Sequence, residues 1–203
     1  MQSVVFQGRQ ICPSKVVCIG RNYVEHAKEL GNEVPNEMVV FLKPNSAIGQ
    51  TLYSELDEPL HFETELCLLM AEDGIAAVAV GLDLTKRALQ SKLKAKGLPW
   101  ERAKAFDCAA LFSEFVAIDS LDSPIEVRLE IDGERRQQGD SSQMLFSPQR
   151  IVTQLSQWLT LEAGDIIMTG TPKGVGVVPQ GAAFVASLSQ HGQMLVESKW
   201  HAR

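Results

Sequence analysis

The chain has 203 residues, 45% of them hydrophobic and 22% charged, a balance that suits a globular fold with a sizeable core. Its net charge of −6 leaves no basic footprint for nucleic acid or anionic lipid. No apolar run approaches the roughly 20 residues of a membrane span. The stretch from Met1 to Arg9 lacks the basic start and apolar core of a secretory signal, so a cytoplasmic protein is expected.

In chain order, Lys15 to Gly20 reads as a buried strand ending at a glycine. Arg21-Asn22-Tyr23 turns into a short helix from Val24 to Leu30, stopped by Gly31-Asn32 and then Pro35. Met38 to Pro44 is a second strand, cut off by its proline. After a loop from Asn45 to Pro59, His61 to Met70 reads as a strand whose apolar second half, Leu66 to Met70, is covered on both sides. A second apolar run ends at Leu82-Asp83-Leu84. Asp83 is expected to open a polar helix from Thr85 to Lys96, closed by Gly97 and Pro99.

Ile125 to Ile131 alternates apolar and charged residues before the hairpin signal Asp132-Gly133. Pro148 to Leu159 has helical periodicity with proline in the first turn. Ile166 to Met168 is a short strand leading into the loop Thr169 to Gly176, and strands over Phe184 to Leu188 and Met194 to Ser198 finish the chain. Many short strands and few helices, with no repeat or linker, predict one β-rich α+β domain over residues 1–203. Cys12, Cys18, Cys67 and Cys108 show no CxxC pair or framework spacing, and three of them lie in apolar strand-like runs; reduced, structural thiols are expected.

Several groups could carry chemistry. Glu63 and Glu65 are two apart on a strand, so both carboxylates share a face. With Asp83 they would crowd like charges, which is unfavourable unless a cation neutralises them. Oxygen-only ligands suit Mg²⁺, Mn²⁺ or Ca²⁺. The same spacing also fits an exposed strand face. If the next helix starts near Asp83, then Arg87 and Gln90 share its face and could bind an oxygen-rich anion. An exposed Asp–Arg pair has identical spacing. Lys94 continues that stripe and reads as solvated.

His26 and Glu29, at i and i+3, fit a carboxylate-oriented base on a lid hinged at Gly20 and Gly31, or else a merely soluble helix. The Thr169–Gly176 loop is neither a Walker A nor a dinucleotide motif, and fits a carboxylate cradle or a plain turn. No Gly-x-Ser-x-Gly elbow or nucleophilic cysteine context occurs. His61 is placed near the acids, His191 in a turn and His201 in the tail.

Certain segments, taken in order, carry a resemblance. They are Val17-Cys18-Ile19-Gly20-Arg21-Asn22-Tyr23 with His26, then Phe41-Leu42-Lys43-Pro44, the Glu63-x-Glu65 strand and Leu82-Asp83-Leu84-Thr85. Gly97-Leu98-Pro99-Trp100, Ala103-Lys104-Ala105-Phe106-Asp107, and Asp132-Gly133-Glu134 with Arg136-Gln137 continue the series. Leu161-Glu162-Ala163-Gly164-Asp165 and the Thr169–Gly176 loop complete it. The set resembles the fumarylacetoacetate hydrolase superfamily, in particular its small single-domain members acting on acylpyruvates and oxaloacetate.

The resemblance implies a mixed β-roll, usually in a homodimer, holding one divalent cation. By residue it implies Glu63, Glu65 and Asp83 as metal ligands and Lys104 as the active-site lysine. It makes His26 with Glu29 the acid–base dyad on a lid helix, and Arg21, Gln90 and Thr171 the substrate contacts, with a weaker match at Arg87. One departure stands out. The Glu65–Asp83 interval is shorter than in typical relatives, because Ala71-Glu72-Asp73-Gly74 turns directly toward the second strand.

The leading expectation is metal-dependent cleavage of an acylpyruvate, such as fumarylpyruvate or acetylpyruvate, to pyruvate and a carboxylic acid. The cation, Mg²⁺ or alternatively Mn²⁺ or Ca²⁺, would chelate the carboxylate and adjacent oxygen of the small keto-acid substrate. His26 would activate water and Lys104 would stabilise the oxyanion. The alternative on the same site is oxaloacetate keto–enol tautomerisation or decarboxylation. A catalytically silent binding protein of the same fold is the alternative of another class.

Overall fold

The computed structural model describes residues 1–203 apart from Leu30 and Asn32. A small hairpin opens the chain, β1 (Val4–Phe6) on β2 (Arg9–Ile11). Next come β3 (Lys15–Gly20), α1 (Val24–Glu29) and β4 (Val39–Pro44). They lead to β5 (Leu60–Phe62), β6 (Thr64–Ala71) and β7 (Gly74–Asp83). Beyond β8 (Thr85–Lys86) and α2 (Arg87–Ala95) lie β9 (Ala110–Phe112) and β10 (Val116–Ala117).

The second half holds β11 (Ile125–Ile131), β12 (Glu134–Asp140) and α3 (Pro148–Leu155). It continues through β13 (Ile166–Met168) and β14 (Gly176–Val177) to β15 (Ala183–Gln190) and β16 (Gln193–His201). The β11–β12 turn has Asp132 at φ 52° and Gly133 at φ 80°. Two positive φ values are what the primed hairpin turn signalled by Asp-Gly requires.

The main sheet runs β10-β7-β6-β13-β3-β4, with β9 also on β7. Only the β13–β3 pairing in it is parallel. Strand alternation splits its side chains between two cores. Val17, Ile19, Leu66, Leu68, Val80 and Ile167 pack with Val127, Leu129, Phe184 and Leu188 of the second sheet, β12-β11-β15-β16, and with Ile151 and Leu155 of α3. Val16, Cys18, Cys67, Leu69, Ala79 and Met168 form the opposite core, closed by Val4, Ile48 and Phe115. Both faces of β6 are therefore covered, which explains its unbroken apolar run. Truncating a fully buried Leu66 or Leu68 to alanine would cost about 2–5 kcal/mol.

This sheet curls strongly. If flat, β4 and β7 would lie about 19 Å apart at ~4.8 Å per strand, yet Lys43 of β4 reaches within 2.8 Å of Asp83 of β7. A parallel bridge between Ile48 and Ala110 draws the segment after β4 onto β9. The result is a β-rich fold with a curled, half-barrel sheet and few short helices, as the resemblance implied.

Three details differ from the sequence reading. The helix after Asp83 begins at Arg87, because Thr85-Lys86 is extended and pairs with Leu60-His61. α3 ends at Leu155, and Trp158, in the stretch expected to continue it, is 62% exposed. Of the cysteines only Cys18 and Cys67 lie in strands, and all four are free. The expected end of the first helix falls on Leu30 and Asn32, outside the described residues.

Candidate active site

The β6–β7 hairpin builds the acidic cluster. Glu65 is opposite Gly81, and the Asp83 N–H donates to the Glu63 carbonyl at 2.8 Å. Residues 63, 65, 81 and 83 thus share a sheet face. One ligand oxygen from each of Glu63, Glu65 and Asp83 lies within 4.8 Å of the others, and all three residues are buried. The short interval between Glu65 and Asp83 is a tight hairpin, with Glu72 and Asp73 at its tip, and its register alone brings the acids together. Gly81 is needed there. A Cβ would meet Cys67 Sγ at 2.7 Å and the Leu111 carbonyl at 2.9 Å.

Three cations answer two of the three acids, Glu63 and Asp83. Lys104 Nζ donates to Asp83 Oδ2 at 2.7 Å, Glu63 Oε2 at 2.9 Å and Thr85 Oγ1 at 2.6 Å. Lys43 Nζ lies 2.8 Å from Asp83 Oδ1 and also donates to the Lys104 carbonyl, tying the two lysines together. Arg87 pairs with Glu63 and donates to Gln90 Oε1 at 2.9 Å. Arg87 was expected beside Asp83 on one helix face; because α2 starts later, it meets Glu63 instead.

These contacts set the electrostatics. Burial raises the Glu63 carboxyl, but Lys104, Arg87 and His26 outweigh that and hold it well below the usual range. Glu65 is pushed well above its ordinary value by burial, then by Asp83 and Glu63, against only the Gly170 N–H at 2.7 Å and the Lys104 charge. Burial lowers Lys104, yet Asp83 and Glu63 bring it out above the ordinary lysine value.

The donor set fits a hard divalent cation. All three ligand groups are carboxylates, and Asp83 Oδ1 has no aligned hydrogen-bond donor although it is buried. Glu65 accepts one hydrogen bond among the described residues, from the Gly170 N–H to Oε2.

A cavity of about 190 Å³ opens onto this cluster, below the ~300–1,000 Å³ of sites for drug-sized ligands and suited to a small molecule. Its lining includes Arg21, His26, Glu63, Glu65, Asp83, Gln90, Lys104 and Thr171, so eight of the nine expected site residues converge. Glu29, the ninth, stands behind His26, with Oε2 3.5 Å from Nδ1. The Gly174 N–H donates to both oxygens of Glu29 at 3.0 and 3.2 Å, latching α1 to the glycine-rich loop. His61 lies on β5 and does not line the cavity.

Other residues hold these parts in place. Gln137 Oε1 accepts from the Thr64 N–H at 2.9 Å, while its Nε2 donates to Thr171 Oγ1 and the Pro172 carbonyl, each at 2.8 Å. Asn22, fully buried, donates to the Phe146 and Thr169 carbonyls and accepts from the Phe146 N–H. Sequence reasoning gave Lys43, Gln137 and Asn22 no role. Lys43 had a signal, a lysine inside the apolar run Met38 to Leu42 and its proline.

Fold and site define a small pocket lined by a carboxylate cluster able to hold a divalent cation, and comparison with known proteins identifies its class. Residues 15–197 match the family described as "Fumarylacetoacetate (FAA) hydrolase C-terminal". The chain belongs to that family.

A mitochondrial oxaloacetate tautomerase of Bos taurus is 38% identical over 201 residues, covering 91% of this chain and 90% of the relative. An oxaloacetate tautomerase of Escherichia coli is 37% identical, covering 88% and 90%. Among solved structures, a putative fumarylacetoacetate isomerase/hydrolase from Oleispira antarctica superposes at TM-score 0.95 with 35% identity, over 100% of both chains. Fumarylpyruvate hydrolase from Pseudomonas aeruginosa, in complex with Mn²⁺ and pyruvate, superposes at 0.88 with 30% identity, covering 99% of this chain and 95% of that one.

Proposed function

We propose that the protein is an oxaloacetate keto–enol tautomerase dependent on a divalent cation, Mg²⁺ or Mn²⁺, and that it works as a homodimer. The observation that carries this reading is the convergence of Glu63, Glu65 and Asp83 with Lys104 and the His26–Glu29 pair on one small cavity. Similarity to the two oxaloacetate tautomerases supports tautomerisation over acylpyruvate hydrolysis, which led in the sequence reading. The Pseudomonas structure keeps hydrolysis of fumarylpyruvate as the second reading and supports a cation beside a pyruvate-like group.

A cation held by Glu63, Glu65 and Asp83 would polarise the substrate oxygens and lower the cost of enolate charge. The remaining work falls to the protein. Tautomerisation breaks a C–H bond at C3 and forms an O–H bond at C2, or the reverse, with no net loss of atoms. His26, oriented by Glu29, moves the C3 proton. Lys104, with protons directed into the cluster, stabilises oxygen charge as it develops. Gln90 and Thr171 orient the substrate, Thr171 being fixed by Gln137.

The test follows enol absorbance of oxaloacetate with and without Mg²⁺, alongside carbon dioxide and pyruvate. Faster equilibration without either product supports tautomerisation. Pyruvate release from fumarylpyruvate, with oxaloacetate equilibrating at the background rate, would establish the hydrolase reading instead.

A further inference from the structure

The inner acids of the cavity all have partners, but its outer cations do not. Glu63, Glu65 and Asp83 are the only carboxylates among the described residues lining it; Lys43, Lys104 and Arg87 pair with Glu63 and Asp83, and Glu65 accepts from the Gly170 N–H. Two further cations line the same cavity, Arg21 and Lys94, and neither has an acidic partner among the described residues. Arg21 is half-buried just past the end of β3, with φ 57°, a left-handed conformation uncommon outside glycine.

Lys94 is exposed on α2, one turn beyond Gln90, and was read from sequence as merely solvated. Its Nζ instead lies 4.6 Å from the Trp100 ring centroid, and Trp100 packs on Phe41 at 5.0 Å. All three side chains line the cavity. A lysine held over an aromatic face is positioned, not swept through solvent. Although the residue as a whole is exposed, desolvation of its ammonium against the cavity wall, then Arg21, Lys104 and Arg87, lower its pKa to about 8.

We propose that Lys94, stacked on Trp100 and assisted by Arg21, binds a second carboxylate and makes the site selective for short dicarboxylic 2-keto acids over monocarboxylic ones. The proposal rests on the reading of the cavity as a keto-acid site. One end of the ligand meets the Glu63–Glu65–Asp83 cluster and its cation; the other meets the cations at the mouth. A monocarboxylate leaves those cations unanswered, whereas a dianion such as oxaloacetate answers both ends.

Calorimetric titration of the Mg²⁺-loaded protein with malate and with 2-hydroxybutyrate tests this without turnover. The two probes differ by a carboxylate in place of a terminal methyl group. The wild type should bind malate at least about tenfold more tightly, and Lys94→Ala should lose about tenfold for malate while 2-hydroxybutyrate shifts less than about twofold. Lys94→Arg should keep most of the preference. A wild type without preference for malate, absent binding of both probes, or a Lys94→Ala variant with the full preference overturns the proposal. Loss of the preference in Lys94→Ala from a protein that fails to equilibrate oxaloacetate would instead overturn the tautomerase reading and leave the dicarboxylate site standing.

Discussion

Lys43 Nζ lies 2.8 Å from Asp83 Oδ1, although the two residues belong to strands four places apart in the main sheet. Both side chains are buried, Lys43 at 0% exposure. Removing one member of an isolated buried pair costs about 3–5 kcal/mol, but Asp83 keeps Lys104 at 2.7 Å when Lys43 is lost. Lys43→Met should therefore lower the stability of the metal-free protein by about 1–3 kcal/mol in urea unfolding. Saturating Mg²⁺ should recover part of the loss, since a cation on Asp83 replaces the missing charge. An equal loss with and without Mg²⁺ would detach Lys43 from the cluster.

That pair also marks how far the sequence could be read. Glu63 and Glu65 were visible as one surface because strand period is local, and Asp132-Gly133 announced its hairpin for the same reason. The Lys43–Asp83 contact depends on the curl of the whole sheet, which no local pattern encodes. The start of α2 at Arg87 was missed because pairing of Thr85-Lys86 with β5 overrides helical periodicity there. Lys94 was dismissed because its partner, Trp100, lies beyond the Gly97-Leu98-Pro99 break that ends the helical pattern. Asn22 and Gln137 carry hydrogen bonds to segments 124 and 73 residues distant, which spacing does not reveal.

The latch between Glu29 and Gly174 predicts a catalytic defect with little loss of fold. Glu29→Ala releases both the His26 contact and the Gly174 N–H bonds. Oriented acid–base groups contribute ~10²–10⁴-fold, so kcat should fall by about 10–100-fold, with KM changing less. Gly174→Ala should mimic it, because φ is 100° and an added Cβ would lie 2.1 Å from the Arg136 carbonyl, forcing the loop to move. If the loop acts through Glu29, the double variant should be little worse than either single one.

Glu65 predicts how metal binding depends on pH. Burial, then Asp83 and Glu63, push its carboxyl well above the ordinary value of 4.5, so the metal-free site holds a proton there to higher pH than a free carboxyl does. A cation needs the carboxylate, and binding must release that proton. Mg²⁺ affinity should rise with pH until Glu65 ionises unaided. Titration in buffers of different protonation enthalpy should show proton release that shrinks as pH rises, and Glu65→Gln should abolish it together with most of the affinity. Metal-free stability has the opposite slope: the unfolded carboxyl ionises first, so Glu65 makes stability fall as pH rises above about 4.5, up to its folded value. Proton release that is zero at all pH values would remove Glu65 from the ligand set.

Asp165 predicts the acid limb of stability. It precedes β13, and its Oδ1 accepts from Ser14 N at 3.2 Å, Ser14 Oγ at 2.7 Å and Lys15 N at 3.2 Å, while Oδ2 takes Lys15 Nζ at 2.5 Å and Glu162 N at 2.9 Å. The carboxylate thus pins the start of β3 to the strand it pairs with in parallel. Burial alone would raise its pKa, but the hydrogen bonds from Lys15, Glu162 N–H and Ser14, with the Lys15 charge, hold it below the ordinary 3.8. A carboxyl depressed in the folded state contributes its full stability above 3.8, and that contribution drains away as pH falls through the lower folded value. Asp165→Ala should therefore cost about 3 kcal/mol at neutral pH by denaturant unfolding, from charge-assisted bonds worth ~1.5–3 kcal/mol each, partly replaced by water at the half-open Lys15 end. The penalty should shrink as both proteins are titrated below pH 3.8, where the wild-type carboxylate is itself being protonated. A penalty that stays constant across that range would mean that Asp165 acts through packing and not through its charge.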